Sequence, residues 1–407
     1  MLDIRCSVQC SYLWGISAER LLKLERNDSG VVGLILDGTG WVEGSGRVFG
    51  DNKSLNRIQI YDAKKDKSWL VDLCQGLSRN RTLESLSIES SSWCKSDLDI
   101  FGILSPFLEH NSYLRSIDVS HDNFGALAAC LSRCKMGHLE FISVSSRGGT
   151  DAEAATFFDS LNEQPKLTDL AFRMFRSHSR IGVDCITILK NALNRHNTLL
   201  LLVLRIELSE AGWEIFLSVL SHPQCSIQTL EIEARRFNVI HLARALAANN
   251  SLRHLCITCD RLPEVTIECW DILSRALCDV SSIERTWSSN HMLHKLVVSE
   301  VISANHELFD DKPIPSVTSS LLEMNKNENK AEVARQKILT YHFSEEGKKT
   351  IHVFAHMPVT TIPVAIAWIG RDRIEFTLMY DVVRAVPALF ERLAGSGQNE
   401  EDVNMQY

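Results

Sequence analysis

The chain has 407 residues, 45% hydrophobic and 23% charged, with a formal net charge of −8. That apolar content is enough for a continuous core and excludes a disordered chain. The acidic balance, spread along the chain without a basic cluster, excludes the footprint that nucleic-acid binding needs.

Residues 1–30 match no repeat, and Leu13, Ile16, Leu21, Leu22 and Leu24 are spaced for one amphipathic helix, an N-terminal cap. Asp3 and Arg5 interrupt the opening stretch, so no signal peptide is expected. Residues 31–38 read as a buried strand, a degenerate first repeat. Gly44, Gly46 and Gly50 then form a G-x-G-x-x-x-G run, which could cradle a nucleotide phosphate. In a dinucleotide site the first glycine follows the strand directly, whereas seven residues separate Leu36 from Gly44 here. A plain glycine-rich loop before a short helix is the competing reading.

From Leu55 an L-x-x-L-x-[LIV] pattern recurs: Leu55, Ile58, Ile60; Leu83, Leu86, Ile88; Leu114, Ile117, Val119; Leu139, Ile142, Val144. It continues through Leu167, Leu170, Phe172; Leu199, Leu202, Leu204; Ile227, Leu230, Ile232; and Leu252, Leu255, Ile257. Starts at 55, 83, 114, 139, 167, 199, 227 and 252 lie 25 to 32 residues apart. The last two apolar positions alternate as in a strand. Between them run helical stripes, such as Leu98, Phe101, Leu104 and Leu108, or Leu242 and Leu246. Consecutive parallel strands need such a crossover, because a hairpin cannot join them.

After Ile257 the pattern loosens. Ile283 begins an incomplete strand, and Leu293, Leu296 and Val298 offer a last one. Residues 310–317 have a connector's composition, and residues 319–324 and 331–343 read as helices. Ile366, Ile369, Leu378, Val382, Val386 and Leu389 suit a helical cap, leaving 396–407 as a disordered tail. The expected division is a cap over 1–30, a repeat array over 31–300, a C-terminal helical cap over 301–395 and the tail.

The recurring triplets, helix-bearing spacers and mean period resemble the ribonuclease-inhibitor type of leucine-rich repeat over roughly residues 55–298. The resemblance implies an α/β fold, a right-handed solenoid with a curved parallel sheet on its concave face and helices on its convex face. That family carries Asn or Cys at the ninth position of each repeat. This chain has Ala63, Ser91, Asp122, Arg147, Phe175, Glu207, Arg235 and Asp260 there, so irregular turns are expected after the strands. The strings IAWIGRD and LMYDVVRAVPALF resemble the closing segment of repeat proteins from photosynthetic microbial eukaryotes, to which no activity is attached.

Motifs for chemistry are sparse. His306-Glu307 lacks the second histidine of a metalloprotease helix, and neither a G-x-x-x-x-G-K-[ST] loop nor a G-x-S-x-G elbow occurs. The pair Glu231/Glu233 lies on one strand face without a closed pocket to separate their acidities. Cys256, Cys259, Cys269 and Cys278 could be read as a zinc site, but eight residues separate the second pair. Buried structural thiols are the plainer reading. Asn27, Asn52, Asn80 and Asn249 match N-x-[ST]. The apolar window 353–369 contains His356, Pro358, Thr360, Thr361 and Pro363, so it does not read as a membrane span.

What remains is the face opposite the leucines, where positions three, five and seven of each repeat project. It carries five acids (Glu89, Asp118, Asp169, Glu231, Glu233) against three arginines (Arg57, Arg173, Arg205). Residues 199–204 read LLLLVL, apolar on both faces, so Leu201 and Val203 should project outward beside Ala171, with Phe141 one strand further. Arg173 and Arg205 flank this patch, and Glu231 and Glu233 follow it. The expectation is a non-enzymatic scaffold or adaptor, cytoplasmic or nuclear. It would bind another protein through Phe141, Ala171, Arg173, Leu201, Val203, Arg205, Glu231 and Glu233, with no cofactor, metal, nucleic acid or membrane. The rivals are a GTPase-activating or other regulatory role, and a nucleotide-binding enzyme using Gly44, Gly46 and Gly50.

Overall fold

A computed structural model describes residues 13–14, 33–36, 41–61, 68–89, 100–120, 124–133, 138–146, 149–174, 180–234, 239–259, 267–301 and 309–342. The expected C-terminal cap around 363–393, the tail and most of residues 1–30 lie outside the described residues. The chain divides into two compact units. One comprises Met1–Asn238, His254–Pro263 and Val297–Lys312; the other comprises Val239–Arg253, Glu264–Leu296 and Pro313–Tyr407.

In the first unit, strands and helices alternate along the chain. The strands are β1 (Leu13–Trp14), β2 (Gly33–Leu36), β3 (Arg57–Tyr61), β4 (Ser85–Glu89), β5 (Ser116–Ser120), β6 (Phe141–Ser146) and β7 (Asp169–Met174). They continue as β8 (Arg180–Ile181), β9 (Leu201–Arg205), β10 (Glu207–Leu208), β11 (Thr229–Ala234), β12 (His254–Cys259), β13 (Lys295–Val301) and β14 (Phe309–Asp311). The sheet runs in the order β1-β2-β3-β4-β5-β6-β7-β9-β11-β12-β13-β14. Every neighbouring pair from β1 to β12 is parallel, whereas β14 is antiparallel to β13. A separate ribbon pairs β8 with β10.

The sheet register follows the repeat. Ile58, Leu86, Ile117, Ile142, Leu170, Leu202, Leu230 and Leu255 face one another across successive strands. All are buried with the other leucine-type positions of their strands. A one-residue slip would turn this whole layer outward, so burial itself fixes the pairing. This is an α/β leucine-rich-repeat solenoid. The register also extends upstream of Leu55: Leu34 pairs with Ile58, and Leu13 with Leu34. Leu13 therefore belongs to a strand, not to the start of a helix.

Helices α1 (Gly46–Asp51), α2 (Ser68–Leu77), α3 (Ile100–His110), α4 (Phe124–Arg133), α5 (Asp151–Ser160), α6 (Val183–Arg195) and α7 (Glu210–Leu220) are the first unit's crossovers. Two are well capped. Thr150 and Glu153 form a capping box on α5, and Ser209 accepts from Gly212 on α7. The Phe172 ring lies 4.8 Å from that of Phe158 and 5.4 Å from that of Phe157, tying α5 to β7.

Two glycines of the G-x-G-x-x-x-G run, Gly46 and Gly50, have a packing role, while Gly44 takes a positive φ in open space. A Cβ on Gly46 would stand 1.9 Å from the Asp72 carbonyl oxygen, and one on Gly76 would stand 1.7 Å from that of Gly46. Helices α1 and α2 therefore touch backbone to backbone. The Asp72 carboxylate accepts the Gly46 amide at 3.1 Å and the Trp41 indole at 3.0 Å, so an amide a phosphate would want is already bonded. Gly46 and Gly76 thus serve the packing of α1 on α2.

Strands are entered through a common buried turn. Three residues before the first leucine stand Asn52, Asn80 and Asn111 in this unit. The Asn80 side-chain oxygen accepts the amides of Thr82 (2.9 Å) and Leu83 (2.7 Å). Its nitrogen donates to the carbonyls of Phe49 (2.7 Å) and Asn52 (3.1 Å) in the preceding repeat. Asn111 does the same with Tyr113, Leu114 and Asn80. A second rung comes from hydroxyls one residue before the leucine: Thr82 donates to Leu55, Thr198 to Leu167 and Ser226 to Leu199, at 2.8–2.9 Å. The N-x-[ST] matches at Asn52 and Asn80 are thus buried turn residues. Among the ninth-position residues only Glu207, in β10, is described.

The second unit contains α8 (Val239–Ala248), α9 (Ile267–Leu277), α10 (Ile283–Ser288), α11 (Ser316–Met324) and α12 (Lys330–His342). Ile283 opens a helix, not the expected strand, because Ser282 caps it by accepting the Arg285 amide. The asparagine turn recurs here. Asn290 accepts from Met292 and Leu293 and donates to the carbonyls of Leu246 (2.6 Å) and Asn249 (3.0 Å). Asn325 in turn donates to Leu293 at 2.6 Å.

Candidate functional site

The sheet register sets out the face opposite the leucines as three rows. Position three gives Phe141, Asp169, Leu201, Thr229 and His254 on successive strands. Position five gives Ser143, Ala171, Val203, Glu231 and Cys256; position seven gives Ser145, Arg173, Arg205, Glu233 and Thr258. All eight expected site residues therefore lie on one face of four adjacent strands, β6, β7, β9 and β11.

Their exposure differs from the expectation at one point. Along β9, Leu201 and Val203 are half-buried while Leu202 and Leu204 are buried, which is the alternation of a strand with one face open. Ala171, expected beside them as part of the exposed patch, is only 3% exposed. Its single methyl is too short to rise between longer neighbours. Ser143, next to it in register, is buried for the same reason. The centre thus has a low floor of Ser143 and Ala171, with Phe141, Arg173, Leu201 and Val203 as the taller side chains around it.

Charge is arranged unevenly. The Arg205 Nε stands 2.7 Å from the Glu233 Oε1 across β9 and β11, both side chains about one-fifth exposed. Opposite charges directly facing each other across strands stabilise the pair. Arg173 donates to the Ser143 hydroxyl at 3.4 Å and has no carboxylate partner among the described residues. Glu231 likewise has no cation partner among them, and its charge adds to burial in raising the Cys256 thiol above its ordinary range. Both arginines read as flanks in the sequence; the structure commits one to an internal ion pair and leaves the other available. Adjacent-strand register is the signal that separates them.

A second polar centre sits in the other unit, around α12. Lys337 is fully buried, and its Nζ donates to the carbonyls of Leu277 (2.6 Å) and Asn290 (3.1 Å) and to His291 Nδ1 (3.1 Å). The opposite ring nitrogen of His291 donates to the Trp287 carbonyl at 2.9 Å. Burial, reinforced by the Lys337 charge, holds His291 down to about 4, and burial brings Lys337 down to about 7. Cys278 is pushed up to about 11 by burial. Three acceptors around one ammonium tie α12 to the ends of α9 and α10, a structural use of a charge that no solvent reaches. Nothing in the sequence marks Lys337, because its acceptors are mostly backbone.

No group of three or more metal-ligating side chains occurs among the described residues, and no described helix is long and apolar enough to cross a membrane. No family model and no curated protein matches the chain. Among solved structures it is similar to the leucine-rich repeat-containing protein LegL7 from Legionella pneumophila. The identity is 12% and the TM-score 0.41, over 77% of this chain and 96% of that one. It is also similar to actin-binding site 2 of leiomodin-1 (14% identity, TM-score 0.24, 50% of this chain and 86% of that one). The tropomodulin C-terminal domain of Caenorhabditis elegans is a further likeness (11% identity, TM-score 0.25, 49% and 89%).

Proposed function

We propose that the chain is a protein-binding scaffold that uses the face opposite its leucines, centred on β7, β9 and β11. The observation carrying this reading is the apolar pair Leu201 and Val203, half-buried and facing outward on a strand whose other face already fills the core. Fold stability does not require a leucine at an outward position, whereas desolvated apolar anchors supply much of the energy of association. Repeat solenoids commonly bind through the face their strands present. The mixed, ion-paired charge around the pair favours a polypeptide over a polyanion.

The test is affinity capture from native lysate with the full chain and with the double variant Leu201→Asp, Val203→Asp. A protein retained by the wild type and lost from the folded variant supports the reading. A partner retained equally by both places binding elsewhere.

A further inference from the structure

We propose that this face recognises an extended segment carrying an acidic, an apolar and a basic side chain in that spatial order, with the carboxylate on Arg173, the apolar group on Leu201 and Val203, and the cation on Glu231. The inference rests on the scaffold reading above and specifies the partner's chemistry. Three features carry it. Arg173 and Glu231 are the charges without an ionic partner among the described residues on β7, β9 and β11 at positions five and seven. They stand on either side of β9, one strand away in each direction. Between them on β9 stand Val203 and Arg205, and Glu233 of β11 meets the Arg205 charge at 2.7 Å, which leaves Leu201 and Val203 as the uncharged side chains of β9 on this face.

The face therefore has a positive point at Arg173 and a negative point at Glu231 on either side of the β9 apolar pair, while the Asp169 carboxylate beside Leu201 is held by the Thr168 hydroxyl at 2.6 Å. From β7 position seven to β11 position five is two strand spacings across and one two-residue step along, roughly 12 Å between backbones. An extended peptide covers that in about three to four residues. A segment with an acid and a base about four positions apart, and an aliphatic or aromatic side chain midway, projects all three from one side and meets all three groups together. A reversed segment places like charges together and is disfavoured, so the arrangement also selects direction.

The experiment selects peptides from a phage-displayed library of random dodecapeptides on the immobilised full chain. Affinities of the recovered peptides are then measured against the wild type, Arg173→Glu, Glu231→Lys and the Leu201→Asp, Val203→Asp double variant. Each variant is first checked for an unchanged melting temperature. The proposal expects enrichment of the acid–apolar–base order and about tenfold or greater weakening by each single charge reversal. Peptides with the matching charge reversed should bind the corresponding variant again. Enriched peptides that lose binding to the double variant but not to the charge reversals would overturn the charge triad and leave the scaffold reading standing. Peptides that bind all variants as they bind the wild type, or a library that yields no binder, overturn the proposal. Association of the chain with itself through this face, lost in the double variant, would make a second copy the occupant and also overturn it.

Discussion

Asn80 and Gln164 occupy the same place in two repeats, three residues before the first leucine. Asn80 satisfies two amides of its own turn and two carbonyls of the preceding repeat. Gln164, one methylene longer, reaches the Leu131 carbonyl only at 3.4 Å, and its side-chain oxygen has no partner among the described residues. His196 stands there in the next repeat, donating to the Leu161 carbonyl at 2.8 Å. The same turn position is used in these three repeats, and the length and type of the side chain there decide how completely it is bonded. Gln164 and His196 precede β7 and β9, two strands of the candidate site.

The largest effect that sharpens this contrast is expected from Asn80→Ala. It strands two amides and two carbonyls in a buried turn, so chemical denaturation should show a loss of about 4 kcal/mol. A loss near that of an exposed site would mean water replaces the carboxamide. Next comes Leu170→Ala, in the core beneath the site. Its side chain is fully buried, and cavity formation should cost about 3 kcal/mol.

The Asn290 turn offers a pH test through its neighbour His291. In the unfolded chain His291 titrates near 6.5 and in the folded protein near 4, so the unfolded state holds the extra proton between those values. Stability should therefore fall as pH drops from about 6.5 to about 4, by up to roughly 3 kcal/mol. Lys337 follows the same sign higher up. Its folded value near 7 lies below the ordinary 10.5, so stability should rise with pH across that window. Acid unfolding followed by tryptophan fluorescence should show the lower limb in the wild type and flatten it in His291→Gln. An equally steep limb in that variant would assign it to other groups.

The smallest expected effect runs in the opposite direction. Gln164→Asn should restore the short carboxamide and gain about 1 kcal/mol. No gain would show that the longer side chain already satisfies its turn through water.

The sheet was legible in the sequence because burial enforces a strict alternation. Leu86, Ile117, Leu170 and Leu230 stand where the triplets put them, in parallel register. The turns were less legible. The ninth position points after the strand, whereas the bonded asparagines stand before it, at Asn52, Asn80, Asn111, Asn249 and Asn290. Three of these five, Asn52, Asn80 and Asn249, stand out only as N-x-[ST] matches, whereas all five share the pattern N-x-x-L. Ile283 was misread because one apolar residue cannot distinguish a strand from a helix, while Ser282 decides the matter by capping. At the site, β9 was legible from its unbroken apolar run, since a leucine at an outward position has no core to fill. The sinking of Ala171 and the pairing of Arg205 with Glu233 depend on side-chain length and neighbouring strands, which a linear pattern does not encode.

The most direct test of the division between a structural face and a binding face is hydroxyl-radical footprinting of β9, in the free chain and with a captured partner. The account predicts that Leu201 and Val203 are oxidised in the free chain and protected in the complex, while Leu202 and Leu204 stay unreactive in both. Protection of Leu201 and Val203 already in the free chain, or their unchanged oxidation in the complex, would contradict it.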